Sequence, residues 1–331
     1  MLLFVCVVVC LEAYAPKIVA SEFDRSLLTV AQVGEGNIVY SYDGEAISPW
    51  HDVPFSVDGF LCFVCEIPLG TTAKMEIHKS HAFNPVIQDR HKDGSLRYYE
   101  YGRSIVNYGA IAQTWEDPLT PDPDTGLGGD NDPIDVLQLN AKPCPRGAVQ
   151  RVRVLGALAL IDGGETDWKL LVVDVDDLSD PGVLWRDVAD VPVHRVHAVR
   201  EWFRLYKTAE GKTENNYAFG GIAVNATHAT RVADLMHVHW RTFVDGRTSC
   251  SFNKVACWVG GAHQQKSEGR NDDGSDAELS KTTWYSLCSK TSWYRGLKVL
   301  KVPEVPEELR PGSLDSEGFG LEVELKPTLV R

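Results

Sequence analysis

The feature that most constrains the fold is a succession of short strand-like runs between about Asn37 and Leu160. Clusters of Gly, Pro, Asp and Asn separate the runs, which are NIVYSY, FLCFVCEI, AKMEIHK, SLRYYEYG, PIDVLQL and QRVRVLGALAL. Strands this short and this closely spaced favour a β-barrel or a β-sandwich. With 331 residues, 44% of them hydrophobic and 24% charged, the chain can bury a sizeable core.

Two helices are predicted to follow the strands and to cover them. Apolar residues recur at mixed three- and four-residue spacings from Val191 to Tyr206. Asn225 can cap a second helix that runs to about Val244. Four prolines beyond Lys301 forbid a long helix there and predict an extended tail.

The first eleven residues, MLLFVCVVVCL, form an apolar run that is too short to cross a bilayer as a helix. The run resembles the core of a signal peptide. However, no Lys or Arg precedes it, and the AYA of residues 13–15 is followed directly by Pro16. A targeting or anchoring segment and a dispensable extension therefore both stay open.

Eight cysteines in a chain of this length are too dilute for a disulfide scaffold and favour a reducing compartment. Cys62 and Cys65 form a CxxC inside FLCFVCEI, which is predicted to be a strand. Residues three apart on a strand point to opposite faces. We therefore expect two buried structural thiols rather than a zinc site or a redox motif.

The net charge of −13 argues against nucleic acid as a partner, because a phosphate backbone needs a positive binding face. An acidic protein can still bind a small phosphate anion. It can do so where a few Lys and Arg converge, or where divalent cations stand between two sets of negative charge.

The densest group of acids is GDNDPIDVLQL, residues 129–139. Asp130, Asp132 and Asp135 lie so close in sequence that their charges repel unless divalent cations share them. A surface acidic loop is the alternative, and the apolar residues among the acids weaken it. A calcium EF-hand fails, because its loop spacing places isoleucine at the fifth position and an acid at the sixth.

Further charged residues have a spacing that suits one site. The segment IDGGETDWK supplies acids and a lysine around a predicted turn between strands. Lys74 and Glu76 are two apart, so on a strand they share one face. Other polar residues inside strand-like or helical segments are Arg97, Tyr108, Tyr206 and Lys207.

In these and neighbouring blocks the sequence resembles the soluble family I inorganic pyrophosphatases, in particular their eukaryotic branch. Between about Gln32 and Val244 the ordered blocks are SPWHDVPF, VCEIPLGTTAKMEI, NPVIQD, NYGAIAQTWEDP, GDNDPIDVLQL, LIDGGETDWK, EWFRLYK and GKTENNYAFGG. The resemblance implies an α+β, mainly β fold, with a five-stranded OB-like closed barrel flanked by helices and here an extended C-terminal tail. It also implies hydrolysis of pyrophosphate to two phosphates with several Mg²⁺ ions per active site.

The resemblance further implies which acids bind metal. Asp130, Asp135 and Asp167 are similar to the ligands of the tightly bound metal. Asp135 also matches the residue that reaches a second metal, which activates water. Asp162 and Asp167 match ligands of a metal delivered with the substrate, and Glu76 matches the ligand of another.

The remaining site residues are implied in the same way. Asp132 resembles the general base that accepts the proton of the attacking water. Glu66 resembles an active-site carboxylate whose role is less direct. The residues that resemble the family's phosphate-holding groups are Lys74, Arg97, Tyr108, Lys169, Tyr206 and Lys207.

Two departures from the family pattern bear on assembly. The segment between Arg97 and Tyr108 is shorter than in typical eukaryotic members. Leu69 and Gly70 stand where those members carry an Arg-Trp pair that contributes to the dimer contact. We therefore expect a homodimer, if one forms, to have an altered interface.

The sequence predicts three regions: a leader or targeting segment (1–25), a pyrophosphatase catalytic domain (26–260) and a variable C-terminal extension with a polar loop (261–331). We expect a cytoplasmic protein with no stable membrane insertion, although residues 1–20 leave organellar or secretory-route targeting open. Two other functions also stay open. The same acids would serve a metal-dependent hydrolase of polyphosphate or nucleoside triphosphate. A non-catalytic calcium-binding OB-like protein would have no use for the converging cations.

Overall fold

A computed structural model describes residues 16–245 of the chain. The signal-like run at the N-terminus, the polar loop and the C-terminal extension, with the extended tail predicted in it, lie outside the described residues. The three predicted regions therefore remain predictions.

Residues 16–245 form strands, two α-helices and several single-turn 3₁₀ helices. The strands are β1 (Leu28–Val33), β2 (Asn37–Tyr42), β3 (Glu45–Ile47), β4 (Ser56–Val57), β5 (Phe60–Ile67), β6 (Met75–Ile77), β7 (Val86–Gln88), β8 (Asn107–Ile111), β9 (Asp135–Gln138), β10 (Val149–Asp162), β11 (Glu165–Asp174), β12 (Asn216–Tyr217) and β13 (Val224–Asn225). The helices are α1 (Val193–Leu205) and α2 (Ala226–Val244). The 3₁₀ helices are Ala20–Glu22, Arg25–Leu27, Pro181–Leu184, Val188–Asp190, Tyr206–Glu210 and Ala218–Gly221.

Five strands pair in a closed ring. β5 pairs with β8, β8 with β9, β9 with β11, β11 with β10, and β10 pairs back with β5. Only the β9–β11 pair of this ring is parallel. The mainly β class with a five-stranded barrel, as expected from the sequence, is confirmed. Strands β1, β2, β3, β6 and β7 form a second, smaller sheet.

The barrel strands are covered on both faces, which explains their nearly continuous apolar sequences. On β5, Cys62 and Val64 belong to one buried cluster, whereas Phe63 and Cys65 belong to another. Helix α1 packs on the first cluster through Trp202 and its neighbours, and the N-terminal half of α2 packs on the second. The prediction of two buried thiols on opposite faces is confirmed, and both cysteines are free.

Both predicted helices are confirmed within one or two residues. The Asn225 side chain accepts a hydrogen bond from the backbone N–H of His228 at 2.9 Å, which caps α2. The buried residues of α2 recur every three or four positions, as an amphipathic helix requires; they are Ala229, Val232, Ala233, Met236, Trp240 and Phe243. Neither α-helix of residues 16–245 is long and apolar enough to cross a membrane.

The prediction of a strand at SLRYYEYG is wrong. This segment makes only isolated bridges, between Arg90 and Leu96 and between Ala73 and Tyr98. Its backbone groups are satisfied by residues that flank the ends of β6 and β7, such as Lys74, rather than by a continuous neighbouring strand. The segment therefore runs across the ends of β6 and β7 and is not itself a strand of the sheet.

Candidate active site

Three acids from separate parts of the chain converge beside β11. Glu116 follows β8, Asp130 precedes β9 and Asp167 lies on β11, and a carboxylate oxygen of each lies within 4.8 Å of the others. Backbone bonds hold the Asp130 loop against Glu116. The Glu116 N–H donates to the Asp132 carbonyl at 2.9 Å, and the Asn131 N–H donates to the Glu116 carbonyl at 3.0 Å.

A buried lysine joins these acids to a fourth. Lys169 is only 2% exposed, and it lies opposite Asp135 of the parallel strand β9. Its Nζ is 2.6 Å from Asp167 Oδ1 and also contacts Asp135 Oδ2. Because alternate residues of a strand share a face, the sequence of β11 points Asp167 and Lys169 to the same side. The ammonium also faces the Tyr108 ring, 5.6 Å from its centroid.

A second ion pair lies at the hairpin between β10 and β11. Asp162 ends β10, and Lys207 of the 3₁₀ helix after α1 contacts its Oδ2. Gly163 and Gly164 form the turn with φ of 61° and 94°, a conformation that other residues rarely adopt. This two-glycine turn fixes where Asp162 stands relative to Asp167.

A third group lies around β6. Lys74 Nζ is 2.9 Å from Glu76 Oε2 and 3.2 Å from Asp89 Oδ2. The same Asp89 oxygen is 2.6 Å from Arg97 Nη1, and Arg97 Nη2 is 3.2 Å from Glu210 Oε2. Two cations are therefore held side by side by acids.

Glu66 and Tyr206 are buried, and Tyr108 is partly buried. Glu66 Oε1 accepts the Ile77 N–H at 2.7 Å, and burial, with the nearby charge of Asp135, raises the pKa of Glu66 well above its ordinary value. Burial likewise raises the pKa of Tyr108 and of Tyr206. Both phenols therefore keep their protons at neutral pH and can donate hydrogen bonds.

The converging acids carry an electrostatic cost. Burial and then the charge of Asp130 raise the pKa of Glu116 well above its ordinary value. Burial and then the charge of Asp132 do the same for Asp130. Burial raises the pKa of Asp167 from 3.8 to about 7, even though Lys169 opposes the shift. A divalent cation among these carboxylates would remove the repulsion that favours their protonated forms.

The donor set fits a hard divalent cation. Glu116 Oε1 accepts the Trp168 N–H at 2.9 Å. Its Oε2 is buried, with no hydrogen-bond partner within residues 16–245, and such an orphaned acceptor is costly unless a cation meets it. Oxygen-only ligands are typical of Mg²⁺ and Ca²⁺ sites.

The shifted pKa of Asp167 gives a test in chelator-containing buffer. The unfolded carboxyl ionises near 3.8 and the folded one near 7, so the stability that its proton confers is complete below about pH 4 and is lost as pH rises through 7. Asp167→Asn cannot lose a proton. From pH 5 to pH 8, its unfolding free energy should gain on the order of 2 kcal/mol relative to wild type. Urea denaturation of both proteins at both pH values measures the difference. A difference in unfolding free energy between the two proteins that is the same at pH 5 and at pH 8 would contradict this prediction.

All thirteen predicted site residues lie in these groups, whereas several site residues were not singled out from the sequence. Asp132 donates its backbone N–H to Asp130 Oδ1 at 3.0 Å, which places it beside the acid cluster. The missed residues are Glu116, Asp89, Glu210 and Lys79, whose Nζ is 2.6 Å from Asp132 Oδ1. An acid after the apolar run NYGAIAQTW was the signal for Glu116; nothing in the local sequence marks Lys79.

The fold and the site together define a class of protein: a mainly β barrel with a cluster of carboxylates that suits a divalent cation, beside several ion-paired lysines and an arginine. The family profile that matches the chain, over residues 63–241, is described as inorganic pyrophosphatase. The chain belongs to the inorganic pyrophosphatase family.

Individual relatives agree with the family. The inorganic pyrophosphatase of Eremothecium gossypii is 42% identical over 236 residues, covering 67% of this chain and 81% of the relative. That of Mus musculus is 44% identical over 213 residues, covering 62% and 73%. Among solved structures, the Schistosoma japonicum inorganic pyrophosphatase has a TM-score of 0.61 at 39% identity, covering 65% and 80%. A truncated Trypanosoma cruzi vacuolar soluble pyrophosphatase in complex with PPi has a TM-score of 0.61 at 32% identity, covering 69% and 97%.

Proposed function

We propose that the protein hydrolyses inorganic pyrophosphate to two phosphates with Mg²⁺ as the metal. The observation on which the proposal rests is the meeting of Glu116, Asp130 and Asp167, with an orphaned carboxylate oxygen among them. Family membership supplies the substrate, since a relative of similar fold is described in complex with PPi.

The residues that would hold Mg²⁺ are acids on or beside several strands: Asp130, Asp135, Asp162, Asp167, Glu76 and, in addition, Glu116. When bound, Mg²⁺ neutralises phosphate oxygens and lowers the pKa of an attacking water. The charge of the bound Mg²⁺ would offset the repulsion among these carboxylates, so they could all be ionised together.

The chain's own cations and phenols would hold the two phosphates. Lys169 and Lys207 are already oriented by acids of β9, β10 and β11, and Lys74 and Arg97 are oriented by Asp89. Fixed positive charges and O–H donors stabilise charge that develops on phosphate oxygens without having to reorganise. Tyr108 and Tyr206 are proposed as the O–H donors.

Asp132 is proposed as the general base. Its side chain is 42% exposed, far more than the 12% of Asp135, so it can meet an incoming water. The Nζ of Lys79 lies 2.6 Å from Asp132 Oδ1, so the carboxyl group is held at the edge of the acid cluster. Buried Glu66 supports the site indirectly, because its carboxyl oxygen accepts the Ile77 N–H and so joins the end of β5 to β6, which carries Glu76.

A substrate panel tests the proposal. The purified full chain should release phosphate from pyrophosphate with millimolar Mg²⁺, and excess chelator should abolish the release. Tripolyphosphate and ATP, assayed with Mg²⁺, Zn²⁺ and Mn²⁺, should be poorer substrates in Mg²⁺. A folded protein that turns over ATP or tripolyphosphate but not pyrophosphate would instead be a hydrolase of polyphosphate or nucleoside triphosphate. A protein that binds Ca²⁺ and hydrolyses none of these compounds would contradict an enzymatic role.

We further propose a homodimer with an altered interface. Leu69 and Gly70 lie in a bend where the Leu69 N–H donates to Asn107 Oδ1 at 2.8 Å and Gly70 has a φ of 82°. This bend lacks the large side chains that the eukaryotic pattern places there. Light scattering across a concentration series measures the mass, and a monomer at every concentration would contradict the proposal.

We also propose a cytoplasmic location. Within residues 16–245 the cysteines Cys62, Cys65 and Cys144 are buried and free, which suits a reducing compartment. Cell fractionation with an antibody against the full chain tests this, and enrichment in an organelle or in the medium would contradict it.

A further inference from the structure

The loop that carries Asp130 is tied to β11 on the face opposite the acids. Trp168 stands between Asp167 and Lys169, so its side chain points away from theirs. It is fully buried in the cluster covered by α2, and its Nε1–H donates to Oδ2 of Asp122 at 2.9 Å. Asp122 is itself only 5% exposed.

The other oxygen of Asp122 shapes the loop. Oδ1 accepts the backbone N–H groups of Asp124 at 2.9 Å and Thr125 at 3.0 Å. The Thr125 hydroxyl contacts the Thr166 hydroxyl, and the Thr166 N–H donates to the Gly128 carbonyl at 2.8 Å. One carboxylate thus joins a turn that leads into Asp130 to the strand that carries Asp167.

Trp168 also fixes the third acid of the cluster. Its backbone N–H donates to Glu116 Oε1, while its indole N–H donates to Asp122. A shift of Trp168 along or across β11 would therefore change the position of Glu116 relative to Asp130. No contact of Asp122 with the acids themselves is needed for this effect.

We propose that Asp122 is a positioning residue that sets the separation of Asp130, Asp167 and Glu116, and through it the affinity for the metal they share. This inference rests on the proposed function, because it takes the three acids to be metal ligands. A role confined to folding of the loop is the competing explanation. A positioning role predicts weaker Mg²⁺ binding when the link to Trp168 is broken, whereas a role confined to folding predicts lower stability with unchanged Mg²⁺ affinity.

Two substitutions separate the link to Trp168 from the turn itself. In Asp122→Asn the amide oxygen can still accept the two backbone N–H groups, but the NH₂ group meets the indole N–H, so two donors face each other. Trp168→Phe removes the indole donor from the other side. Because the amide then no longer meets a donor, the double variant should be little worse than either single variant.

Asp117 is the matched control. It is also buried, at 6% exposed, and it caps its own turn by accepting the Leu119 N–H at 2.8 Å and the Thr120 hydroxyl at 2.7 Å. Its carboxylate has no hydrogen bond to β11 among the described residues. Asp117→Asn should therefore destabilise the loop without moving the three acids apart.

Calorimetric titration of Mg²⁺ into the full-length, substrate-free proteins tests the inference, with thermal unfolding in chelator as a measure of folding. Asp122→Asn and Trp168→Phe should each weaken Mg²⁺ binding by about tenfold, the lower end of what partners of metal-binding residues contribute. Asp117→Asn should lower the melting temperature and keep wild-type affinity. Wild-type affinity in both Asp122→Asn and Trp168→Phe, or an equal loss in Asp117→Asn, would overturn the inference. A wild-type protein that binds no Mg²⁺ would instead overturn the proposed function.

Discussion

Asp132→Asn is expected to lower kcat by about 10²–10⁴-fold while the Mg²⁺ affinity of the substrate-free protein changes little. The amide keeps the shape of the side chain but cannot accept a proton from water. The Asp132 side chain is also open to water, at 42% exposed against 12% for Asp135. Steady-state kinetics at saturating Mg²⁺ and metal titration measure the two effects separately.

Asp135→Asn is the control variant that separates loss of a metal ligand from loss of the proton acceptor. Asp135 is buried against Lys169 and is a proposed ligand of two metals, so its loss should weaken Mg²⁺ binding as well as the rate. If additional Mg²⁺ restored Asp132→Asn to near the wild-type rate, Asp132 would be a ligand and the base would be another residue.

Lys169→Met is expected to have the second large effect, on both rate and stability. The lysine is 2% exposed and lies between Asp135 and Asp167, so its removal leaves two buried carboxylates without their cation. Breaking a buried pair in this way typically costs about 3–5 kcal/mol. Loss of a fixed charge that is proposed to stabilise the reacting phosphate should lower kcat by about 10²–10³-fold. Denaturation in chelator and kinetics at saturating Mg²⁺ measure these two results.

Lys142→Met is a matched control for Lys169→Met. Lys142 also pairs with an acid, Asp177 at 3.4 Å, but its side chain is 65% exposed. An exposed pair is worth about 0–1 kcal/mol, so this variant should unfold like wild type and keep its activity. Lys169→Met with wild-type kcat at saturating Mg²⁺ would show that Lys169 does not act on the substrate.

The sequence predicts the parts of the fold that depend on local pattern. Alternation and continuous apolar runs predicted β5, β9 and β10, and Asn225 marked the start of α2, since a cap is a local interaction. The closed barrel and the roles of the site residues came from the resemblance, because pairing between distant strands leaves no local signal, whereas the spacing of Asp130, Asp132 and Asp135 marked the acid cluster by itself. SLRYYEYG looked like a strand since strand propensity reflects residue type, whereas a strand also needs a neighbour along its whole length.

Lys79 and Glu116 were missed because contacts between residues far apart in the chain leave no local signal in the sequence. Lys79 lies in a polar loop that looks solvated in sequence, and only the fold brings its ammonium to Asp132. Glu116 differs from a surface acid only through its burial and through Trp168, which is 52 residues away along the chain. Contacts of this range follow from the closed ring of strands.

The acids beside β11 are proposed to form the metal centre of a pyrophosphatase. Crystals of the active protein soaked in Mn²⁺, which can replace Mg²⁺ at oxygen ligands, give the most direct test through anomalous scattering. The strongest anomalous peak should lie among Asp130, Asp135, Asp167 and Glu116. A crystal of active protein whose Mn²⁺ peaks all lie away from these four carboxylates would contradict this proposal.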